Sequence, residues 1–576
     1  MSANHDTSLL YLISNDKTTC QITALSDDLF YRILPFCSIK SILHLFSTCK
    51  RIQQQGETPY LWRNLLKEFH PRFYRDLYAN PTFDESQISN ETKPRWVPTY
   101  FSNYRSPSED YPQSWRLLFQ KASMISYPKT VKWRPMHTEL KAGLVEPPER
   151  EGHNVVRLLH DRLILTGGYT TDDNVYILDF DSYRYGSLDK EKDFKPQWKI
   201  ARPTVDGFDY SENVFLFAYG CSLTPINSTQ MIRFGGFQAG GYSQACNEVL
   251  LLTVEDAFPG RPDLIKMTRI HATMKLDFKS VKSKWTKIIT QGNQPTCRAY
   301  HTATLLCNRY LVIVGGMTDG ESIMEEAILD THTWTWLGFR DEMNTTARYF
   351  HANSPHPSPR HGHSVILDES RDRLVLFGGG SGGDLLRDGQ DNTEVWELLI
   401  GKRWKTNFQQ SFPWRWRIIQ RDHNDDNDQS SDSNNEGVSE SSCSQESENY
   451  EHPSLHQQHV YHHSHNRQER LNLGRCHISV KLEPNNVLFF SGGGQVSTNN
   501  CLMYHLPTNK WKKLKILGRA PLARFTSAGT VIDGYLVAEG GFSSINGTTL
   551  KDVMVLDLIP NFNRIFQALP EDKRTG

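Results

Sequence analysis

Six times along this chain, a short apolar run ends in two consecutive glycines. The apolar residues are mostly β-branched or aromatic, which favours a buried β-strand. Glycine adopts positive φ without strain and lets another backbone approach closely, so each pair predicts a tight turn at the end of a strand. The pairs are Gly167 and Gly168, Gly235 and Gly236, Gly315 and Gly316, Gly378 and Gly379, Gly492 and Gly493, and Gly540 and Gly541. This recurrence predicts a repeat protein, in which each unit packs only on its neighbours.

Each glycine pair is followed by a polar loop and then by a second apolar run. The second runs lie at 174–180, 248–254, 325–330, 394–400, 501–506 and 552–558. A tryptophan closes most units, at Trp198, Trp285, Trp334 and Trp511, and either Trp404 or the Trp414/Trp416 pair closes the fourth. An R-x-x-H pattern opens three units, at Arg150/His153, Arg298/His301 and Arg360/His363. The fifth unit has a contracted form (Arg475, His477), and the sixth has Arg524 alone.

This order of strand, glycine pair, strand and tryptophan strand resembles the kelch repeat over about residues 150–560. The resemblance implies a mainly β fold with a six-bladed kelch β-propeller at 131–560, in which radial closure leaves only short strand edges. The sixth unit has no tryptophan strand after it, whereas the segment around Trp133 precedes the first unit. We therefore expect Trp133 to complete the last blade and close the ring.

Residues 22–69 carry apolar side chains at helical spacing, with Ser26 suited to cap the first helix and Pro35 to end it. The segment resembles an F-box, a small all-α module, with Ser26 where the family commonly has proline. The resemblance implies contact with the Skp adaptor, or a place in the small core beneath that contact, for Leu25, Leu29, Ile33, Ile42, Leu45 and Trp62. The alternative is a helical core formed within the chain itself. An apolar helix face has the same sequence pattern whether it is buried against a partner or against other residues of its own chain.

The remaining segments are predicted from composition. Residues 1–21 should be a flexible N-terminus, 70–130 an aromatic-rich linker region with short helices, and 561–576 a C-terminal tail. The segment 114–122 in particular predicts a short amphipathic helix that docks the F-box against the propeller. Residues 421–470 are acidic and rich in Ser and His, with almost no large apolar side chains, so they should be a disordered insertion.

Two groups of residues are candidates for substrate binding. Arginines that open the blades could clamp carboxylates or phosphates at the channel mouth, although they and the histidines could instead hold neighbouring blades together. Loops after the glycine pairs are the stronger candidates, because binding residues concentrate on loops held by a rigid scaffold. The candidates are Tyr169, Tyr242, Gln244, Arg298, Met317, Arg360, Arg387, Arg475, Arg524 and Phe542.

Charge and cysteine content restrict the partners, the compartment and the cofactors that we expect for this chain. Lys and Arg number 64 against 65 Asp and Glu, so the usual electrostatic argument for a nucleic-acid or membrane partner is missing. The 10 cysteines form no C-x-x-C pair, which suits a reduced protein of the cytoplasm or nucleus. We expect no cofactor and no metal, since the histidine-rich tract at 452–465 lacks an organising framework of Cys or carboxylates.

The combined resemblance implies a non-catalytic subunit of a ubiquitin ligase, an F-box/kelch substrate receptor bound to the Skp adaptor and a cullin scaffold. A protein substrate would bind the propeller. One alternative is a kelch scaffold without a ligase role. A second is a secreted copper-radical oxidase, a function that some kelch-type propellers carry, because fold alone does not determine function.

Overall fold

The computed structural model describes the propeller and part of the segment before it. The described residues are 59–70, 119, 121–135, 146–158, 162–179, 198–207, 218–227, 229–238, 244–255, 282–318, 320–339, 355–382, 391–420, 473–493, 497–532 and 534–560. The predicted flexible N-terminus, most of the F-box segment, the 421–470 insertion and the 561–576 tail lie outside these residues.

Helix α1 (Pro59–Phe69) and a short helical segment at 121–126 precede the strands. The apolar side of α1 buries Trp62, Leu65 and Leu66. Trp62 packs on Phe119, with ring centroids 5.5 Å apart. Neither described helix has the length and apolar content that crossing a bilayer would need.

Six sheets form the blades of a β-propeller, as the repeat predicted. Blade 1 contains β2 (Asn154–Leu158), β3 (Arg162–Thr166), β4 (Val175–Asp179) and β5 (Trp198–Ala201). Blade 2 contains β6 (Pro203–Asp206), β7 (Ala218–Tyr219), β8 (Ser222–Pro225), β9 (Gln230–Gln238), β10 (Ala245–Glu255) and β11 (Lys282–Ile288). Blade 3 contains β12 (Thr302–Leu306), β13 (Tyr310–Thr318), β14 (Glu321–Asp330) and β15 (Thr335–Phe339).

The second half of the ring repeats this order. Blade 4 contains β16 (Ser364–Asp368), β17 (Arg373–Phe377), β18 (Val395–Leu399), a 3-10 helix (Phe408–Ser411) and β19 (Arg415–Gln420). Blade 5 contains β20 (Ile478–Leu482), β21 (Asn486–Phe490), β22 (Cys501–His505) and β23 (Lys510–Lys513). Blade 6 contains β24 (Lys515–Leu517), β25 (Ala528–Ile532), β26 (Tyr535–Ser543), β27 (Thr548–Asp557) and β1 (Thr130–Pro135). All pairs of described strands are antiparallel except β6 with β11 in blade 2 and β24 with β1 in blade 6, which are parallel.

The ring is closed by β1, which confirms the prediction for Trp133. Strand β1 pairs antiparallel with β27, so that Trp133 lies opposite Leu556 and strands from the two ends of the propeller share one blade. Trp133 is buried, and its ring lies 4.6 Å from that of Phe490 in blade 5. The closing strand therefore joins the first and last parts of the propeller through both hydrogen bonds and apolar packing.

The core lies between the blades, where the face of one sheet packs on the face of the next. Ile232 and Phe234 of blade 2, for example, cluster with Leu311 and Ile313 of blade 3. Because central strands are covered on both faces, they are continuous apolar runs and do not alternate. The same packing selects the closing tryptophans.

Two tryptophan assignments follow from that packing. In blade 3 the tryptophan buried within the strand is Trp336, whereas the predicted Trp334 lies in the preceding turn at φ 55°. In blade 4, where the sequence left a choice, Trp416 lies within β19 and is buried. Trp414 lies just before that strand and is also buried.

The ring has two distinct ends. The glycine pairs and the segments that precede the inner strands lie at one end, here called the Gly-Gly end. The hairpins between first and second strands lie at the other, here called the hairpin end. In blade 5, β20 runs from the Gly-Gly end to the hairpin at 483–485, and β21 returns. An inner strand of 5 residues separates the two ends by about 17 Å.

Candidate functional site

A four-residue segment, here called the opening tetrapeptide, precedes the inner strand of every blade at the Gly-Gly end. These segments are 150–153, 218–221, 298–301, 360–363, 474–477 and 524–527. The third residues form a closed ring in which each backbone N–H donates to the carbonyl of the third residue in the preceding blade, with N···O distances of 2.6–3.1 Å. They are Gly152, Gly220, Tyr300, Gly362, Cys476 and Thr526. All six have φ between 53° and 67°, a backbone conformation that aligns the donors and acceptors around the channel.

The glycine pairs make a second ring of contacts between blades. In each blade one glycine N–H donates to the carbonyl of the first tetrapeptide residue of the next blade, over 2.8–3.2 Å. The donors are Gly168, Gly236, Gly316, Gly379, Gly492 and Gly541. A side chain has no room here: a Cβ on Gly540 would lie 2.8 Å from the Arg150 carbonyl oxygen of the next blade, and one on Gly541 would lie 2.7 Å from the Phe525 carbonyl oxygen of its own blade. The repeated glycines are thus required by contact between blades as well as by the turn.

Blade 5 shifts this pattern by one residue. The donor is Gly492, so Ser491, at φ 65°, occupies the place of the first glycine, and the equivalent pair is not Gly492 and Gly493. The acceptor that blade 5 offers to blade 4 is also a glycine, because Gly379 of blade 4 donates to Gly474. Gly474 therefore stands where blades 1, 3, 4 and 6 have arginine, and Arg475 is the second residue of its tetrapeptide. This explains the contracted motif in the sequence.

Three of the predicted arginine contacts are engaged within their own blades. Arg298 donates through Nη1 to the Gly315 carbonyl at 3.1 Å and through Nη2 to the Glu325 carboxylate. Arg360 and Arg524 make the equivalent bonds to the first glycine of their blades, and to the carboxylates of Glu394 and Asp552. All three guanidiniums are buried. They do not ring an open channel mouth, and they hold one blade together, not two; a role in substrate binding stays a prediction.

Arg475 has a different environment. Its Nε lies 3.3 Å from the Asp391 carboxylate of blade 4. Its guanidinium lies over Gly380, where an added Cβ would come within 2.6 Å of the Arg475 Cζ. Arg475 therefore joins blades 4 and 5 and is itself buried at the Gly-Gly end.

The histidines of the tetrapeptides bond neighbouring blades, which confirms that interpretation of the motif. The Nε2 atoms of His301 and His477 lie 2.9 Å from the hydroxyls of Ser222 and Ser364 in the preceding blades. Burial lowers the pKa of His301 to about 3, so its imidazole is neutral at physiological pH. These side chains join neighbouring blades of the ring and are unsuited to proton transfer near neutral pH.

The candidate binding face comprises the six residues that follow the glycine pairs, together with the second residues of the tetrapeptides that bridge to them. The residues after the pairs are Tyr169, Phe237, Met317, Gly380, Gly493 and Phe542. Their bridging partners are Glu151, Tyr219, Ala299, His361, Arg475 and Phe525. The structure thus brings the predicted Tyr169, Met317 and Phe542 to equivalent places in blades 1, 3 and 6.

One side of this face is aromatic. The Tyr219 ring lies 5.9 Å from Tyr169 and 5.2 Å from Phe237, and Phe525 lies 5.7 Å from Phe542. Tyr169 is 53% exposed and is therefore the side chain most open to a partner, whereas Met317 is buried. Exposed aromatic side chains of this kind are frequent anchors in protein interfaces.

The opposite side is polar. Ser322 donates to the Gly382 carbonyl at 3.2 Å, and its oxygen lies 2.9 Å from His361 Nδ1, which we assign as the donor. Burial, with a contribution from Arg475, lowers the pKa of His361 to about 3. Burial raises the pKa of Cys476 to about 12, so this thiol is not a reactive nucleophile. The described groups therefore suit binding better than acid–base or covalent chemistry.

Sequence reasoning missed several residues of this face. Phe237 follows its glycine pair as Tyr169 does, so the same rule could have found it. Tyr219 and Phe525 precede strands in blades 2 and 6, which lack the full R-x-x-H pattern, and only the hydrogen-bond rings align them. The predicted Gln244 is exposed just before β10, and Tyr242 and Arg387 lie outside the described residues.

Among the predicted adaptor contacts, the structure describes Trp62 alone, since Leu25, Leu29, Ile33, Ile42 and Leu45 lie outside the described residues. Trp62 is 2% exposed, as a residue of a small core would be. Over the described part of the chain, no cluster of three or more His, Cys, Asp or Glu side chains is suited to a metal ion.

Comparison with known proteins does not assign this chain to a family. No family model matches the chain. A solved structure described as "Structure of YjhT" matches with a TM-score of 0.38 and 12% sequence identity, over 71% of this chain and 95% of that chain. A match of this quality carries no information about function.

Proposed function

We propose that this chain is the substrate-recognition subunit of an SCF-type (cullin-RING) ubiquitin ligase. Its N-terminal segment binds the Skp adaptor, and the Gly-Gly end of the propeller binds a protein substrate. The proposal is supported by the F-box-like pattern at 22–69 in front of a six-bladed propeller. The chain itself supplies proximity, because it raises the effective concentration of substrate lysines near the ubiquitin carrier.

The observation that carries the proposal is the separation of the two ends. The helical segment contacts the hairpin end, where Asn486 Nδ2 donates to the Ser126 carbonyl at 2.6 Å and the Ser126 hydroxyl donates to the Glu483 carbonyl. The aromatic side of the candidate binding face lies at the Gly-Gly end, about 17 Å away along an inner strand. A receptor must hold adaptor and substrate at once, and this arrangement leaves each its own surface.

The test is recovery of ligase subunits with the full-length chain. We expect wild type to co-purify the Skp adaptor and a cullin, and a Leu29→Asp/Ile33→Asp variant to lose both, since charge on the predicted contact face opposes burial. Tyr169→Ala, on the propeller, is the matched control and should retain both. Wild type that recovers neither subunit would overturn the proposal.

A second candidate function is a scaffold without a ligase role. It is favoured by the burial of Trp62 against Phe119, because a helix that covers its own apolar face has less need of an adaptor. Proximity labelling separates the two candidates. A scaffold would label partners sensitive to Tyr169→Ala and no ligase subunits, whereas a receptor would label both classes.

A further inference from the structure

A cavity of about 490 Å³ lies at the hairpin end, between the inner strands and the short helical segment. Strands β2, β8, β12, β20 and β25 contribute to its wall, and Ala122, Ile125 and Ser126 of the helical segment also line it. The volume falls within the range typical of small-molecule sites. The cavity is separate from the candidate binding face, which lies at the other end of the ring.

The charged groups of the lining are mostly cationic. Arg157 of β2 and Lys481 of β20 both line the cavity, and Glu483 is the acidic residue among the lining residues. Lys481 Nζ lies 3.2 Å from the Glu483 carboxylate. His70 also lines the cavity, but burial lowers its pKa to about 4, so it is uncharged near neutral pH. The formal charge of the described lining residues is therefore +1.

We infer that this cavity binds a small organic anion with two or more carboxylate or phosphate groups. A guanidinium carries five N–H donors, so Arg157 can bond one such group besides its present partners. Lys481, which also pairs with Glu483, supplies the second cation. The hydroxyls of Ser479 and Thr530 on the wall can donate to the remaining oxygens. Because Ala303, Val480 and Val531 make part of the lining apolar, an anion there interacts with the cations more strongly than it would in water.

The position gives the ligand a structural consequence. A molecule in the cavity contacts residues of the inner strands and the helical segment at once, so that its binding stabilises the junction between them. By mass action, a ligand that binds this docked form and not the undocked form shifts the equilibrium toward docking. The inference is independent of the ligase proposal, since it concerns a different site and needs no adaptor.

The test is calorimetric titration of the full-length protein with citrate and with pyrophosphate, and with mannitol as a neutral probe. We expect saturable binding of at least one anion and none of mannitol. Arg157→Gln and Lys481→Gln should each weaken binding about tenfold, equivalent to ~1.4 kcal/mol. Glu483→Gln should strengthen it, because the competing carboxylate is removed. A gain of affinity is a result that loss of folding cannot imitate.

The matched control is Lys512→Gln, on exposed β23, which should bind as wild type does. The inference is overturned if neither anion binds. It is also overturned if Arg157→Gln and Lys481→Gln both bind like wild type while keeping its melting temperature, or if Lys512→Gln loses as much affinity as they do.

Discussion

At the residue scale, Gly540 and Gly547 adopt nearly the same positive φ, 59° and 63°, in different surroundings. A Cβ on Gly540 would lie 2.8 Å from the Arg150 carbonyl oxygen of blade 1, whereas one on Gly547 would meet no atom within 4 Å. The pair therefore separates backbone strain from contact between blades.

We expect Gly547→Ala to lower the free energy of unfolding by about 1 kcal/mol, the strain of a left-handed residue alone. Gly540→Ala should lower it by about 3 kcal/mol, because the neighbouring blade must also move. Thermal and urea denaturation of the two variants checks this. Equal losses would show that the contact between blades is not limiting.

A second prediction at this scale concerns pH. His301 is neutral in the folded protein, with a pKa of about 3, whereas its unfolded value is near 6.5. The unfolded chain therefore binds one more proton between these values. This contribution to stability is fully present above pH 6.5 and is lost as pH falls, at about 1.4 kcal/mol per pH unit.

His301→Gln should remove this dependence, because glutamine can bond the Ser222 hydroxyl without titrating. Melting temperatures measured from pH 7.5 to 4.5 should then fall less steeply than in wild type. The exposed His332 supplies the control, since His332→Gln should leave the slope unchanged. Parallel slopes for wild type and His301→Gln would contradict the assignment.

At the scale of the element, the ring depends on β1. This strand pairs with β27 and, in parallel, with β24, so one short segment is bonded on both edges. Its six residues come from a part of the chain more than four hundred positions before β27. An opened closing blade would expose the apolar cluster that Trp133 shares with Phe490 and Leu556.

We expect Trp133→Ala to destabilise the propeller by about 3–5 kcal/mol, as large-to-small changes of buried aromatic residues do. Trp133→Phe, which keeps part of the apolar volume, should cost less than half of that. Denaturation and limited proteolysis between blades 5 and 6 check the prediction. It would fail if Trp133→Ala left both stability and cleavage unchanged.

At the scale of the whole molecule, few polar bonds connect the helical segment to the propeller among the described residues. The buried Asn486 donates to the Ser126 carbonyl, and Asn485 donates to the Tyr127 hydroxyl at 3.1 Å in an exposed position. Removing one partner of a buried hydrogen bond leaves the other partner unsatisfied, which destabilises the structure more than the loss of an exposed hydrogen bond does. The two asparagines thus form a matched pair.

Asn486→Ala should increase amide hydrogen exchange at 59–70 and 121–127 severalfold, with protection in the central strands of blades 3 and 4 unchanged. Asn485→Ala should alter exchange much less. Hydrogen exchange followed by mass spectrometry measures both. A uniform loss of protection over the propeller after Asn486→Ala would mean that the two parts unfold as one unit.

Local pattern carried much of the prediction of the fold. Apolar runs, glycine pairs and the unpaired Trp133 segment predicted the number of blades and the closing strand, because strand formation and burial depend on neighbouring residues. Tyr169, Met317 and Phe542 were found for the same reason, as each directly follows a glycine pair. Trp334 was a wrong choice, since two tryptophans two positions apart satisfy the pattern equally and only packing selects Trp336.

The bonding partners of individual side chains could be identified only in the folded ring. Whether Arg298 faces a channel or bonds Glu325 depends on the strands that surround it, and the shift in blade 5 shows only when Gly379 meets Gly474. The cavity likewise assembles from five blades and a preceding helix. The strands can be predicted from sequence because strand formation depends on residues that are neighbours in the chain. Contacts between residues far apart in the chain exist only after the ring closes.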